Sequence, residues 1–231
     1  MLETCKGMAK TILPCFLSAM VLLVLPAWGA DKAKDEETIR NATTVLQAMV
    51  GSNDVPASTV AKADCIIILP SVKKFAVGIG GTGGRGPMTC RKGDNFTGSW
   101  SAPAMYSIGG ASAGFQIGGT AKDYILLIMA PTTVDKILEG KVKVGQDATA
   151  AAGSGVSAST GTADILTYAR TSGLFAGISL NGASLSPDSD ANQRLYGNSM
   201  SAREIMTGTG AKPTPAGQQL VSLLNSKAGK K

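Results

Sequence analysis

Apolar residues recur at helical spacing in one long segment near the start of the chain. Between positions 38 and 50 they return every three or four residues, which predicts an amphipathic helix with an apolar face of Ile39, Ala42, Val45, Leu46, Met49 and Val50. Pro56 can start a short second helix that reaches Ala63. Another short helix is predicted over 131–138, because Pro131 suits its start and Gly140 its end.

Short apolar runs bounded by glycine or proline predict buried strands elsewhere in the chain. These runs cover 65–69, 75–81, 88–91, 105–119, 124–129, 165–170 and 174–180. A surface turn over 71–74 would separate the first two strands, and Ser186 with Pro187 would start a helix that continues to Tyr196. The segment 147–162 consists almost entirely of Ala, Gly, Ser and Thr, which taken alone indicates a linker.

Composition favours sheets over helix bundles. Glycine supplies 29 of the 231 residues, while 44% of the chain is apolar and 16% is charged. Glycine is unfavourable inside helices but allows close approach of neighbouring strands. We therefore expect an α+β domain with a glycine-rich, mainly antiparallel or barrel-like sheet and short helices packed on it.

Two motifs match enzyme signatures, but the residues around them argue against catalysis. G-x-S-x-G at 110–114 is centred on Ser112, and a chain without histidine cannot supply the usual base. G-x-G-x-x-G at 78–83 would need a helix at its third glycine, yet Gly84, Arg85, Gly86 and Pro87 follow. This segment predicts a glycine-rich hairpin instead. With scattered carboxylates, the sequence predicts no enzyme, no cofactor and no metal site.

The first segment has the layout of an export signal. Lys6 and Lys10 precede an apolar run over 12–25, and Ala27 and Gly29 are the small residues that a cleavage site needs. We expect a signal peptide over 1–29 and a periplasmic or secreted protein; an uncleaved membrane anchor is the alternative. In an exported chain, the remaining pair Cys65 and Cys90 predicts a disulfide rather than a metal site.

Six motifs in order resemble the SYLF family of lipid-binding domains. They are IIILPSVKK (66–74), SWSAPA (99–104), GGASAGFQIG (109–118), GQD (145–147), YAR (168–170) and GLFAGISL (173–180). The resemblance implies small-residue strands over 147–162 and a domain over 38–207. A charged linker over 30–37 would precede this domain, and a mobile basic tail over 208–231 would follow it.

The resemblance also suggests two classes of function. Eukaryotic relatives bind phosphoinositides through an amphipathic segment near the start of the domain, and some bind and bundle actin. In this chain the corresponding helix begins with Asp35, Glu36 and Glu37, which an anionic bilayer would repel. The other interpretation is that the apolar face of this helix packs on the sheet.

Basic residues cluster between positions 62 and 92, against a single acid, Asp64. The cluster comprises Lys62, Lys73, Lys74, Arg85, Arg91 and Lys92. If two turns gather these residues on one rim, they would bind anionic phospholipid headgroups at the cell envelope. Nucleic acid is disfavoured, because no aromatic residues are interleaved for base stacking. A structural module that binds an envelope protein, or a solvated basic face with no ligand, are the alternatives.

Overall fold

The computed structural model describes residues 27–77, 79–113, 118–140, 142–144, 148–149, 151–153, 156–158, 164–171, 180, 183–197, 200–208 and 210–229. The helices in these ranges are α1 (Ala27–Gly51), α2 (Ala57–Lys62), α3 (Pro131–Leu138), α4 (Ser189–Tyr196), α5 (Ala202–Thr207) and α6 (Pro215–Lys227). The strands are β1 (Cys65–Val77), β2 (Ile79–Cys90), β3 (Ala104–Ala113), β4 (Gly118–Ile128), β5 (Val142–Val144), β6 (Ala148–Thr149), β7 (Ala151–Gly153), β8 (Val156–Ala158), β9 (Ile165–Thr171) and β10 (Ala183–Pro187).

These strands form one mainly antiparallel sheet. Nine of them follow the order β5-β10-β3-β2-β1-β4-β9-β8-β7, and β6 pairs with β9 in parallel. The long strands β1 to β4 lie together, because their apolar and glycine residues allow close pairing. The predicted α+β class with helices packed on a glycine-rich sheet is confirmed.

Successive side chains of β1 point to opposite faces of the sheet, and each face has a hydrophobic core of its own. Ile66 and Ile68 lie on the face where α1, α2, α4 and α6 pack, here called the α1 face. Ile67 and Leu69 lie on the opposite face, which α3 and α5 cover and which we call the α5 face. Because both faces are covered, these strands are continuous apolar runs rather than alternating ones.

The turn predicted over 71–74 does not exist. β1 passes through these residues as one strand, and a bulge between Leu69 and Val72 absorbs the irregularity. Ser71 has a positive φ of 51°, and its amide donates to Asp123 Oδ1 at 2.9 Å. A hairpin does form in this glycine-rich segment, where Val77 pairs with Ile79, but it divides the strand predicted over 75–81 between β1 and β2, and 79–90 is one continuous strand.

Two other predictions changed, one of a strand and one of a helix start, and a third prediction lies mostly outside the described residues. The stretch 105–119 contains most of β3 and the start of β4, with 114–117 outside the described residues. Ser186 and Pro187 end β10 rather than start a helix, and Asp188 caps α4 by accepting a hydrogen bond from the Ala191 amide at 3.0 Å. Of the strand predicted over 174–180, only Leu180 is described.

Both ends of the described chain belong to the fold. α1 begins at Ala27, so 30–37 is helical and is not a linker. α6 buries Leu220 and Leu224 completely, and Glu36 Oε2 accepts from the Ala216 amide at 3.0 Å. The predicted mobile tail is therefore wrong for residues 215–227. The first 26 positions of the predicted signal peptide lie outside the described residues.

Candidate functional site

The predicted basic residues do not share one rim. Cys65 pairs with Cys90 at the start of β1, whereas Lys73 pairs with Gly83 eight residues further along. At ~3.3 Å per residue, this places Lys73 about 26 Å from the end that carries Arg91. The single rim required a turn over 71–74, and the continuous strand removes that turn.

Arg91 directly follows β2, is buried beside the start of β1, and binds main-chain carbonyls from distant segments. Its Nε donates to Ala63 O at 3.1 Å, and its Nη1 donates to Gly98 O at 3.2 Å. Its Nη2 donates to Ala61 O at 3.1 Å and to Ala228 O at 2.9 Å. We call this arrangement the Arg91 hub. It joins the end of α2, the loop after β2 and the end of α6.

The hub excludes Arg91 as a membrane contact. The residue is only 1% exposed, and its guanidinium lies 4.3 Å from the centre of the Trp100 ring. Burial lowers the pKa of Arg91, and attraction to Asp64 opposes that shift. The prediction that Arg91 binds lipid is wrong, because its buried guanidinium already donates hydrogen bonds to carbonyl groups inside the protein.

A disulfide fixes the strands beneath the hub. Cys65 and Cys90 are bonded at 2.04 Å, as predicted, and both are buried. Cys90 directly precedes Arg91, so the bond holds the end of β2 against the start of β1. Met206 of α5 lies on the same side, with its sulfur 3.7 Å from Cys90 Sγ.

Three exposed lysines are direct sequence neighbours of residues in the hub. Lys62 lies between Ala61 and Ala63, Lys92 follows Arg91, and Lys227 precedes Ala228. We call these three side chains the hub face. Lys62 and Lys92 were predicted as site residues, whereas Lys227 was missed. Its only signal in the sequence was the basic character of the last segment, since its neighbours come from positions more than 130 residues away.

Arg85 lies elsewhere, on the α1 face. It pairs with Asp35 of α1, and its Nε lies 3.7 Å from Asp188 Oδ2. Asp35 is 1% exposed and also accepts from Arg194 Nε at 2.7 Å. We call Asp35, Arg85 and Arg194 the Asp35 junction. Because acidic partners inside the fold take up the charge of Arg85, this residue does not fit the predicted lipid contact.

The apolar face of α1 is buried against other elements of the fold. Ile39, Ala42, Leu46 and Met49 are all 0–1% exposed and belong to the core on the α1 face. The interpretation that this helix packs on the sheet is confirmed. Among the described helices, none combines the length and the apolarity that a membrane span requires.

Lys73 and Lys74 lie at the far end of β1 with Lys122 of β4. Lys73 is exposed, Lys74 is half-buried and Lys122 is 6% exposed. Val72 and Lys122 are direct cross-strand partners, so β1 and β4 bring Lys74 and Lys122 to the same face. Lys122 was not among the predicted site residues, because it lies 48 positions beyond Lys74 in the sequence.

The described residues do not assemble a catalytic or metal site. Ser112 lies within β3 opposite Gly80, not at the strand-to-helix turn of a nucleophile elbow. No group of three or more acidic or cysteine side chains in the described ranges could hold a metal ion. A cavity of about 220 Å³ between α1 and α4 is lined by Asp31, Asp190, Gln193 and Arg194.

A family model described as Ysc84, a Las17-binding protein actin regulator, matches residues 109–227, about half of the chain. The match extends through α6, which agrees with the burial of that helix in the core. No solved structure matches the chain.

Curated relatives match most of this chain. An SH3 domain-containing protein of Schizosaccharomyces pombe is 32% identical over 190 residues, covering 78% of this chain and 43% of the relative. The human SH3 domain-containing YSC84-like protein 1 is 29% identical, covering 85% and 58%. Protein YSC84 of Saccharomyces cerevisiae is 29% identical, covering 82% and 43%. The chain thus spans about half the length of the curated relatives it matches.

Proposed function

This chain belongs to the Ysc84 family of SYLF domains, and from that premise we propose that it is a non-catalytic module that binds anionic phospholipid surfaces through the hub face. The predicted signal peptide makes the periplasm or the outer cell surface its place of action. The binding is peripheral and reversible, and it needs no cofactor.

The adjacency of Lys62, Lys92 and Lys227 to residues that the Arg91 hub joins is the observation that carries this proposal. Each lysine near an anionic bilayer contributes about 1 kcal/mol. Three such residues together would strengthen binding roughly 150-fold when salt does not screen their charges. The formal net charge of +6 acts in the same direction by attracting the protein to anionic surfaces.

The hub supports these lysines with a rigid base. Arg91 fixes three main-chain segments at once, and the Cys65–Cys90 bond fixes the strands below them. Lysines that start from fixed backbone positions lose less freedom when they meet a surface. Trp100 is 2% exposed, so it is not available to stack on bases, which argues against single-stranded nucleic acid as the ligand.

Co-sedimentation with vesicles tests the proposal. The full chain is mixed with phosphatidylcholine vesicles that contain either no phosphatidylserine or 30% phosphatidylserine. We expect binding only to the anionic vesicles, and we expect about 0.5 M salt to weaken it strongly. Equal binding to both compositions would contradict the proposal.

Charge reversal at the hub face adds a matched control. The triple variant Lys62→Glu, Lys92→Glu and Lys227→Glu should lose vesicle binding. The control Lys32→Glu, Lys136→Glu and Lys143→Glu changes three exposed lysines elsewhere by the same total charge. The control should keep most of the binding. If both triple variants lose binding equally, net charge rather than the hub face is responsible.

A protein partner is the second candidate, because the matching family is described as a Las17-binding actin regulator. An exported chain would need an acidic envelope protein on the same lysines. Affinity capture from envelope extracts, compared between the two triple variants, tests this candidate. A partner lost only with the hub-face variant, together with no vesicle binding, would favour it over lipid.

A further inference from the structure

The loop that follows β2 is closed tightly by its own backbone. After Lys92 the chain runs through residues 93–97, here called the Phe96 loop, and returns at Gly98. The Gly98 amide donates to the Lys92 carbonyl, and the Lys92 amide donates to the Ser99 carbonyl, both at 2.9 Å. A Cβ atom at Gly98 would lie 2.6 Å from the Lys92 carbonyl oxygen, so this closure requires glycine.

The backbone of the loop does not explain why position 96 is a phenylalanine. Phe96 has a φ of 51°, in the left-handed region where glycine and asparagine are common and a bulky side chain is rare. Its amide donates to the Gly93 carbonyl at 3.0 Å, and a glycine would make the same hydrogen bond at a lower cost in free energy. The reason for this residue therefore lies in its side chain.

Packing within the fold uses only part of that side chain. Phe96 is half-buried and packs against the edge of the core on the α5 face. The other four residues of the loop, Gly93, Asp94, Asn95 and Thr97, are exposed. The loop thus carries one aromatic side chain among small and polar ones. Covering the exposed part of an apolar side chain lowers the free energy, so this residue favours contact with an apolar partner.

The Arg91 hub places the loop beside the hub face. Arg91 Nη1 donates to the Gly98 carbonyl at 3.2 Å, and the same guanidinium holds the ends of α2 and α6. Lys92 of the hub face begins the loop itself. Protein segments that bind at a membrane surface combine lysines with phenylalanine or leucine, because charged headgroups lie directly above acyl chains. A basic cluster with one apolar side chain matches such a surface.

We propose that Phe96 is the apolar contact of the hub face with an anionic bilayer. Its ring enters the boundary between headgroups and acyl chains while the lysines bind the headgroups. This inference rests on the proposed function and deepens it, because it names a contribution to binding that salt does not screen. Asp94 in the same loop offsets one lysine charge, which makes an apolar contribution more important.

Vesicle titration of Phe96→Ala tests the contact. The full chain is titrated with phosphatidylcholine vesicles that contain 30% phosphatidylserine. We expect Phe96→Ala to bind about fivefold more weakly than the unaltered chain. About 0.5 M salt should weaken both proteins but preserve the ratio of their affinities. The matched control is Leu138→Ala, which truncates another half-buried residue of the same core, and it should bind within about twofold of the unaltered chain.

A conservative variant covers the case in which Phe96→Ala alters the loop. Phe96→Trp keeps an aromatic ring and should keep the affinity. Brominated phosphatidylcholine in the anionic vesicles should quench the fluorescence of this added tryptophan. The unaltered chain, with Trp28 and Trp100, supplies the baseline, and Trp100 is only 2% exposed. Neutral brominated vesicles should give no added quenching, and neither should Leu138→Trp in anionic ones.

The outcomes separate this contact from the proposed function. Salt-sensitive binding to anionic vesicles, with equal affinities for Phe96→Ala and the unaltered chain, would overturn the contact and leave the hub face as a purely electrostatic surface. The absence of added quenching in Phe96→Trp would overturn it as well. Equal binding to anionic and neutral vesicles would contradict the proposed function, and the Phe96 contact with it.

Discussion

The two faces of the sheet bury different charged side chains. On the α1 face, Arg91 meets carbonyls and a tryptophan ring, and Asp35 meets Arg85 and Arg194. On the α5 face, burial lowers the pKa values of Lys74 and Lys122 and raises those of Tyr106 and Tyr124. Both shifts favour the neutral form of the side chain. Arginines with fixed partners therefore stabilise the α1 face, and lysines are desolvated on the α5 face, whereas burial raises the pKa of a tyrosine on each face, Tyr168 on the α1 face and Tyr124 on the α5 face.

Arginines with fixed partners stabilise the fold, whereas lysines that face water are available to a ligand. A guanidinium with several fixed partners organises the fold and leaves the surrounding lysines free to face water. Lysines that face water beside such an arginine can meet an anionic surface. The following variants test this contrast, beginning with the largest expected effect.

Arg91→Met should have the largest effect. It leaves four carbonyl groups, three of them near α2 and α6, without the donor that they have in the fold. We expect the free energy of unfolding to fall by about 3–5 kcal/mol, as for other losses of a buried charged partner. Urea unfolding measures it, with Lys92→Met as the control that stays within about 0.5 kcal/mol. A loss below about 1 kcal/mol would show that the hub is dispensable.

Asp35→Asn should weaken the other structural charge on the α1 face. The change removes the carboxylate that binds Arg85 and Arg194, and these arginines are partly exposed, so water compensates in part. We expect a loss of about 2 kcal/mol in the same unfolding assay. Asp31→Asn, one helical turn earlier and more exposed, should change little. Similar losses for both variants would contradict the central place of Asp35.

Alkaline pH should act on the α5 face. Burial raises the pKa of Tyr124 from 10.0 to about 12. The unfolded chain therefore releases the phenolic proton at lower pH than the folded chain. The stability contributed by this shift is complete below pH 10 and is lost as pH rises toward 12. Between pH 9 and pH 11, Tyr124 alone should remove about 1.4 kcal/mol. In Tyr124→Phe this part of the loss should disappear; an unchanged slope would refute the assignment.

A pair of tyrosine variants should give the smallest effects. Within the described part of the chain, the buried Tyr106 hydroxyl has no hydrogen-bond partner, whereas Tyr196 donates to the Pro103 carbonyl. Tyr106→Phe should therefore leave stability within about 0.5 kcal/mol, while Tyr196→Phe should lower it by about 1 kcal/mol. Calorimetric comparison of the two proteins measures the difference, and the reverse order would contradict it.

Local pattern was sufficient for several elements. The helical spacing from Ile39 to Met49, the apolar run from Cys65 to Leu69 and the proline and glycine around α3 each predicted the element that formed. These signals depend on neighbours in sequence, and burial on both faces reinforced them. The pairing of Cys65 with Cys90 was also predicted, because these two cysteines remain when the predicted signal peptide is set aside.

Long-range contacts decided the rest. Ser71 and the two lysines that follow Val72 predicted a turn, because nothing in the sequence indicated that a bulge would keep β1 continuous. Arg91 looked like a surface cation because its acceptors come from positions as distant as Ala228. The helix around Leu220 was visible as a pattern, but its docking depends on α1 and on Glu36. Burial of a charged residue could not be predicted without its partners.

Lysine footprinting in the presence of vesicles is the most direct test of the hub face as the membrane surface. The full chain is acetylated with and without phosphatidylserine vesicles, and mass spectrometry measures the modification of each lysine. We expect vesicles to protect Lys62, Lys92 and Lys227 together, and to leave Lys32, Lys136 and Lys143 reactive. Protection spread evenly over these six lysines, or confined to the second group, would contradict the account.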